Sequence, residues 1–389
     1  MPKRKNSRAA NGTGTMRERP DGRWECRVTL GKNPATGKPL RKSFYAPTQG
    51  ELVKLMKQIQ AELDAGTFIE PSKLSVGVWM DIWLAEYLGG VKESTQASYK
   101  GHANNHIKPN IGAVLLQQLT PHVVQKFYNT LSRGGKSAKT VKNIHGVLHQ
   151  ALDEAVKQDY IRRNPAANAT LPRIIKPDIK VMSDDIVAAF LSSIEGHQFE
   201  AIYFVDLFSG LRQAEILGLC WNCVDFKAGT ILVDKQLVKS KLDGRYYLDT
   251  TKHDKIRKIK PPPVVMDKLH ERKAKQAADQ LCAGSAWSNE WGLVFTNELG
   301  GHLVHHTVRT NFKRIVAGLG VPELTFHGLR HSYAVISLMS GDDAKTVQEN
   351  LGHHTAAFTL DTYGHTTEKM KEASANRKEQ YIKSIGKIK

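Results

Sequence analysis

The stretch IRRNPAANATLPRIIKP, residues 161–177, constrains this chain more than any other feature. Proline removes a backbone donor, clashes inside a helix and biases the residue before it away from helical angles. Three prolines (Pro165, Pro172, Pro177) so close together end any helical run and read as an interdomain linker. At 389 residues the chain is in any case too long for one ordinary core, and two or three domains are expected.

Before the break the pattern is helical from Val76 to about Leu171. Val78, Ile82, Trp83 and Tyr87 recur at helical spacing, and Thr95 suits the cap of a helix running through His106. Thr120 followed by Pro121 is a cap with proline at the first helical position. Ser137 opens a helix carrying Val141, Ile144, Leu148, Leu152 and Val156. An all-α domain of four or five helices is therefore expected over 72–170.

Ahead of it, residues 1–14 hold basic and small polar residues with little to bury, and should form a disordered basic arm. Residues 23–30 then alternate Arg23, Glu25, Arg27 and Thr29 with Trp24, Cys26, Val28 and Leu30, the signature of a half-buried strand. GKNPATGKP supplies a turn, Arg41 to Ala46 a return strand, and 48–65 a helix with Leu52, Leu55, Met56, Ile59 and Leu63 on one face. Residues 15–70 thus predict a small α+β domain whose open sheet face carries Arg23, Arg27 and one of Arg41 or Lys42. Such a face suits a DNA groove, although a solvated sheet face has much the same pattern.

Charge supports that partner. The chain carries 56 Lys/Arg against 38 acids, net +18. Residues 1–45 alone hold twelve Lys/Arg against three acids (Glu18, Asp21, Glu25), a net +9. Charge concentrated in this way draws polyanions, nucleic acid above all. No apolar run reaches membrane-spanning length, the first twenty residues have no apolar leader segment, and four cysteines make no disulfide framework. The expectation is a reducing cytosol.

After the break the elements mix. Ser183 with Asp184 and Asp185 opens a helix through Ile194, and Glu200–Ser209 reads as a core helix. Residues 230–260 are the one convincing β region, with turns at Asp243-Gly244 and His253-Asp254. Helices are expected near 264–281, 305–318, 327–340 and 343–350.

Phosphodiester chemistry without a cofactor needs a nucleophile, cations for the extra charge on phosphorus, and an acid for the leaving oxygen. Four clusters offer these. FSGLRQAEILGL (208–219) sets Arg212 at a helix start with Glu215 three residues on, near enough to orient it; a structural salt bridge would look the same. FHGLRHSYAVISLM (326–339) places His327 and Arg330 on one helical face, suited to a phosphate, or else a cap and a surface arginine. TTKHDKIRKIK is a basic hairpin tip with Lys252, Lys255, Arg257 and Lys258. LGHHTAAFTLDTYGH (351–365) combines His353, His354 and His365 with Asp361 and Tyr363. Its histidines lack the thiolates or HExxH spacing of a zinc site, so no metal is expected. CWNC, with Cys220 and Cys223, is a lone CxxC among apolar neighbours and reads as core.

Taken in order, GLRxxEILGL, HxLRHSYA and LGH…TxxxYxH resemble the tyrosine recombinases, the phage-integrase family of site-specific DNA recombinases. The resemblance extends over nearly the whole chain. Residues 15–70 are similar to the arm-site-binding domain of phage-lambda-type and conjugative-transposon integrases. Residues 72–170 look like the core-site-binding domain, and 175–389 like the catalytic domain, mainly α with a small sheet. The family pattern implies that Arg212 and Arg330 clamp the scissile phosphate and that Glu215 supports Arg212. Lys252, with Lys255 close by, would protonate the leaving 5′ oxygen. His327 would deprotonate the nucleophile, His353 would hydrogen-bond the phosphate, and Tyr363 would attack to give a 3′-phosphotyrosyl link. No cofactor is implied. The implied partners are duplex DNA at core and arm sites and three further copies of the chain, exchanging a C-terminal tail helix built on Met370, Ala373, Tyr381, Ile382 and Ile385 and working through a Holliday junction. An excisionase or DNA-bending protein is a further one. A topoisomerase-IB-like nicking-closing enzyme and a non-catalytic DNA-binding regulator are the competing readings.

Overall fold

The computed structural model describes residues 15–32, 37–66, 68–70, 72–175, 179–241, 243–251, 256–352 and 368–386. The expected arm at 1–14 and the turn at His253-Asp254 lie outside these. The chain divides into two compact units, residues 1–174 and 175–389.

The first unit has two separate cores. Strands β1 (Thr15–Glu18), β2 (Trp24–Lys32) and β3 (Pro39–Ala46) form an antiparallel sheet in that order. Helix α1 (Gln49–Asp64), capped by the Thr48 hydroxyl, covers one face. Cys26, Val28, Phe44 and Ala46 pack there against Leu52 and Ile59. Directly opposed residues share a face. The Thr29–Arg41 and Arg27–Ser43 pairs therefore put Arg41 beside Arg27 on the open side. Lys42 opposes Val28 and belongs to the helix side, where it ion-pairs with Glu70, so of the two expected alternatives it is Arg41 that shares the open face. That face is less uniformly basic than its sequence suggests, because Glu25 is buried at its centre and accepts from Arg17 Nε at 2.8 Å. Arg23 lies just outside β2, held by Asp21 at 2.8 Å and lying over the Tyr45 ring.

The second core belongs to α2 (Val76–Glu86), α3 (Glu93–His102), which runs on through a π-helical turn into the short α4 (Lys108–Ile111), α5 (Pro121–Arg133) and α6 (Ala138–Lys157). Ser75, Thr120 and Ser137 cap α2, α5 and α6 through their side-chain oxygens. Two local expectations are corrected. Helix α3 begins at Glu93, with Thr95 inside its first turn and Lys92 at the cap position. The buried face of α2 is Val76, Trp79, Met80 and Trp83, whereas Val78 is 51% exposed.

The second unit runs α7 (Asp184–Ile194), α8 (Glu200–Ser209), α9 (Gln213–Leu217), β4 (Val224–Asp225), β5 (Thr230–Val233), β6 (Lys235–Lys239), β7 (Tyr246–Thr250), β8 (Arg257–Ile259), α10 (Pro263–Ala283), α11 (His305–Gly318), α12 (Phe326–Met339), α13 (Ala344–Leu351) and α14 (Glu368–Ser384). β5 pairs antiparallel with both β4 and β8, and β6–β7 form a separate hairpin. The core is aromatic where α7, α8, α11 and α12 meet. There Phe190, Tyr203, Phe312 and Phe326 touch edge to face, and the Tyr203 hydroxyl donates to the Val308 carbonyl at 2.8 Å. Cys220 and Cys223 are buried free thiols of this core. Among the described residues no helix is long and apolar enough to cross a membrane.

Candidate active site

Helix α8 ends at Gly210, whose left-handed backbone (φ 64°) turns the chain back sharply. A Cβ there would stand 2.3 Å from the Tyr333 ring, so the position needs glycine on both counts. The turn delivers Arg212 to the start of α9. Glu215, three residues on, reaches back to the Arg212 backbone N–H at 2.9 Å and takes the guanidinium at 2.6 Å.

Helix α12 starts at the Thr325 cap, which sets His327 and Arg330 in its first turns. Arg330 is 2% exposed and donates to the carbonyls of Gly210, at 2.6 Å, and Leu351. Arg212 donates to the Gly352 carbonyl at 3.3 Å. A third arginine joins them. Arg257, pointing inward from β8, grips Glu215 with both terminal nitrogens, at 3.1 and 2.6 Å, and its Nε donates to the Asn350 carbonyl at 2.8 Å. Three guanidiniums thus hold three successive carbonyls, 350 to 352, where the C-terminal end of α13 leaves them without helical partners.

The electrostatics follow. Burial alone would push Glu215 up, but the hydrogen bonds and charge of Arg257, with the charge of Arg212, hold its pKa down to about 2. Asp206, on α8, is 1% exposed and both its oxygens lack hydrogen-bond partners among the described residues. Burial raises its carboxyl well above the usual range despite the Arg330 charge. His327 opens to solvent on one side; the protein packed around the other, with the Arg330 and Arg212 charges, lowers its pKa. Its ring meets His331 edge to face at 4.8 Å. Burial, His327 and Arg330 bring His331 down to about 4. Both imidazoles are neutral at pH 7, and a neutral ring can accept a proton.

Four expected site residues, Arg212, Glu215, His327 and Arg330, come together here from α9 and α12. Lys252, His353 and Tyr363 lie outside the described residues; so does Lys255. Gly352, whose carbonyl accepts from Arg212, directly precedes His353 in the chain. Arg23, Arg27, Arg41 and Lys42 belong to the other unit. Sequence reasoning placed Arg257 in the basic hairpin without separating it from its neighbours. The alternation of Arg257 and Ile259 against exposed Lys258 was the available signal.

Guanidiniums gathered at one helix end, two of them on one carboxylate and beside neutral histidines, are groups with the chemistry to meet an oxyanion. Residues 200–370 match the phage integrase family, and residues 76–132 match the phage integrase N-terminal SAM-like domain. A tyrosine recombinase described as XerC-like, from Caldanaerobacter subterraneus, is 30% identical over 363 residues, covering 88% of this chain and 92% of the relative. The Tn1549 transposon integrase in complex with transposon right-end DNA aligns with a TM-score of 0.67 at 21% identity, over 78% of this chain and 99% of that one. The lambda integrase tetramer bound to a Holliday junction aligns with a TM-score of 0.54 at 17% identity, over 92% and 98%. The chain belongs to the phage integrase family and is a tyrosine-type site-specific recombinase.

Proposed function

We propose that this recombinase cuts a DNA strand by attack of Tyr363 on one phosphodiester and rejoins it to a second strand, integrating and excising a mobile element. The observation behind this is the convergence of Arg212 and Arg330 on the end of α13, one residue before His353 and eleven before Tyr363. Arg212 and Arg330 neutralise the non-bridging oxygens and His353 adds a hydrogen bond. A free tyrosine, with a pKa near ~10, is a poor nucleophile at pH 7. Neutral His327 takes the phenol proton as the Tyr363 oxygen bonds to phosphorus. The bond from phosphorus to the 5′ oxygen breaks, and Lys252 supplies the proton that the leaving oxygen needs. The 3′-phosphotyrosyl link keeps the bond energy, so attack by the 5′ hydroxyl of another strand reseals it with no net consumption of a cofactor.

The Tn1549 protein holds transposon right-end DNA and the lambda protein a core site and, as a tetramer, a Holliday junction, which supports DNA and three further copies of the chain as partners; arm-site DNA is part of the same proposal. Tyr381 and Ile382 on α14 and Ile385 just beyond it are exposed, an apolar set suited to docking on a neighbouring copy. The domain reading at 15–70, 72–170 and 175–389, a cytoplasmic setting beside the nucleoid, and an excisionase or DNA-bending partner belong to the same proposal.

The test is a nicked duplex carrying the core site, which loses a short fragment on cleavage and traps the covalent adduct. Wild-type protein should give an adduct on a denaturing gel. Tyr363→Phe should give none, and Arg212→Ala should bind the duplex while its cleavage falls by a factor of about 10² or more. An adduct from Tyr363→Phe would move the nucleophile elsewhere.

A further inference from the structure

We infer that Arg257 is a positioning residue of this site, holding Arg212 in register with the end of α13. The inference rests on the strand-cleavage reading above. Arg257 does not face the solvent opening: its side chain is 8% exposed, against 28% for Arg212. It acts through what it holds. The Glu215 carboxylate makes four hydrogen bonds, two to Arg257 and two to Arg212, one of the latter from its backbone N–H. Without Arg257 the buried carboxylate would draw the Arg212 guanidinium inward to satisfy the charge. Arg212 would then offer fewer donors to a phosphate.

Two further contacts make the arrangement specific. The Arg257 Nε bond to Asn350 fixes the carbonyl just ahead of the two that Arg330 and Arg212 take. Gly352 lies flat against the same side chain: a Cβ there would come 3.2 Å from Arg257 Cδ and 3.4 Å from Nη1. The glycine, already left-handed at φ 63°, is what lets the guanidinium lie against the helix end. Backbone pairing of Arg257 with Val233 anchors the side chain to the three-stranded sheet. A lysine would keep the charge but could not span both carboxylate oxygens and the carbonyl from one planar fork.

The experiment compares two nicked duplexes taken from the DNA that flanks the gene. One has an ordinary scissile phosphodiester; the other has a methylphosphonate there, with a non-bridging oxygen replaced by methyl so that the group carries no charge. Charge-neutralising arginines matter less on the second. Full-length Arg257→Gln and Arg257→Lys should bind DNA as wild type does and cleave the phosphodiester about 10- to 100-fold more slowly, with Lys the milder. On the methylphosphonate the deficit should shrink to within about threefold, as it should for Arg212→Ala. Glu215→Gln combined with Arg257→Gln should be no slower than the worse single variant, since both act through one carboxylate. Wild-type cleavage rates in the Arg257 variants, or equal losses on both duplexes, would overturn the positioning role while leaving the reaction standing. No adduct from the wild-type protein on the phosphodiester duplex would overturn both.

Discussion

Glu215 is the residue at which the site's charge balance is set, and acid should expose it. Its folded pKa, about 2, lies below the ordinary value of 4.5. A depressed carboxylate contributes stability that is fully present above its unfolded pKa and is lost as pH falls toward the folded one. The difference corresponds to roughly 3 kcal/mol. Glu215→Gln should therefore destabilise the protein by about that much at pH 7 in urea unfolding, and the gap to wild type should narrow as pH drops from about 4.5 toward 2. An equally large gap at pH 3 would mean that packing, not charge, sets its contribution. At this scale legibility was uneven. The i, i+3 spacing of Arg212 and Glu215 is visible in sequence because one helical turn fixes it. Arg257 is not, because its hairpin holds several cations and only strand register decides which faces inward. Asp206 stands out as a carboxyl inside the apolar run that follows Glu200, but sequence spacing says nothing of its feeling the Arg330 charge.

Among elements, those bounded by strong local chemistry were readable and those decided by packing were not. The Thr48, Thr120, Ser137 and Ser183 caps mark the starts of α1, α5, α6 and α7, since each side chain satisfies an N–H that the helix leaves free. Helix α3 has no side-chain cap bond, which is why its start lies two residues before the Thr95 signal. Helix α2 is apolar nearly all round, so its periodicity does not single out a face. The Trp79 indole bond to the Ala151 carbonyl, far off in sequence, helps fix the buried one. The α8–α9 turn is the element on which the site depends most. Gly210→Ala forces a side chain into left-handed backbone and into the Tyr333 and Leu351 side chains at 2.3 and 2.9 Å. The expected cost is about 2–4 kcal/mol, with cleavage lost before DNA binding. Thermal melting beside a gel-shift assay would check it; an unchanged melting temperature with full cleavage would show that the turn is not needed in this form.

Across the whole molecule, charge and chemistry are segregated. The first unit carries the basic N-terminal segment and the open sheet face with Arg17, Arg27 and Arg41; the second carries the arginine cluster. A phosphate contact on DNA releases a condensed counterion, so the dependence of affinity on salt counts such contacts. Changing Arg27 and Arg41 together to Gln should lower the slope of log affinity against log salt by about 2 on duplex containing an arm site. Adduct formation on a core site at saturating protein should be untouched, because neither residue belongs to the unit that holds Arg212 and Arg330. Arg212→Ala should do the reverse, sparing the arm-site slope and stopping cleavage. If the paired sheet variant kept the wild-type slope, the open face would not be the one that meets DNA. The net +9 of residues 1–45 would then have to act through residues other than these two.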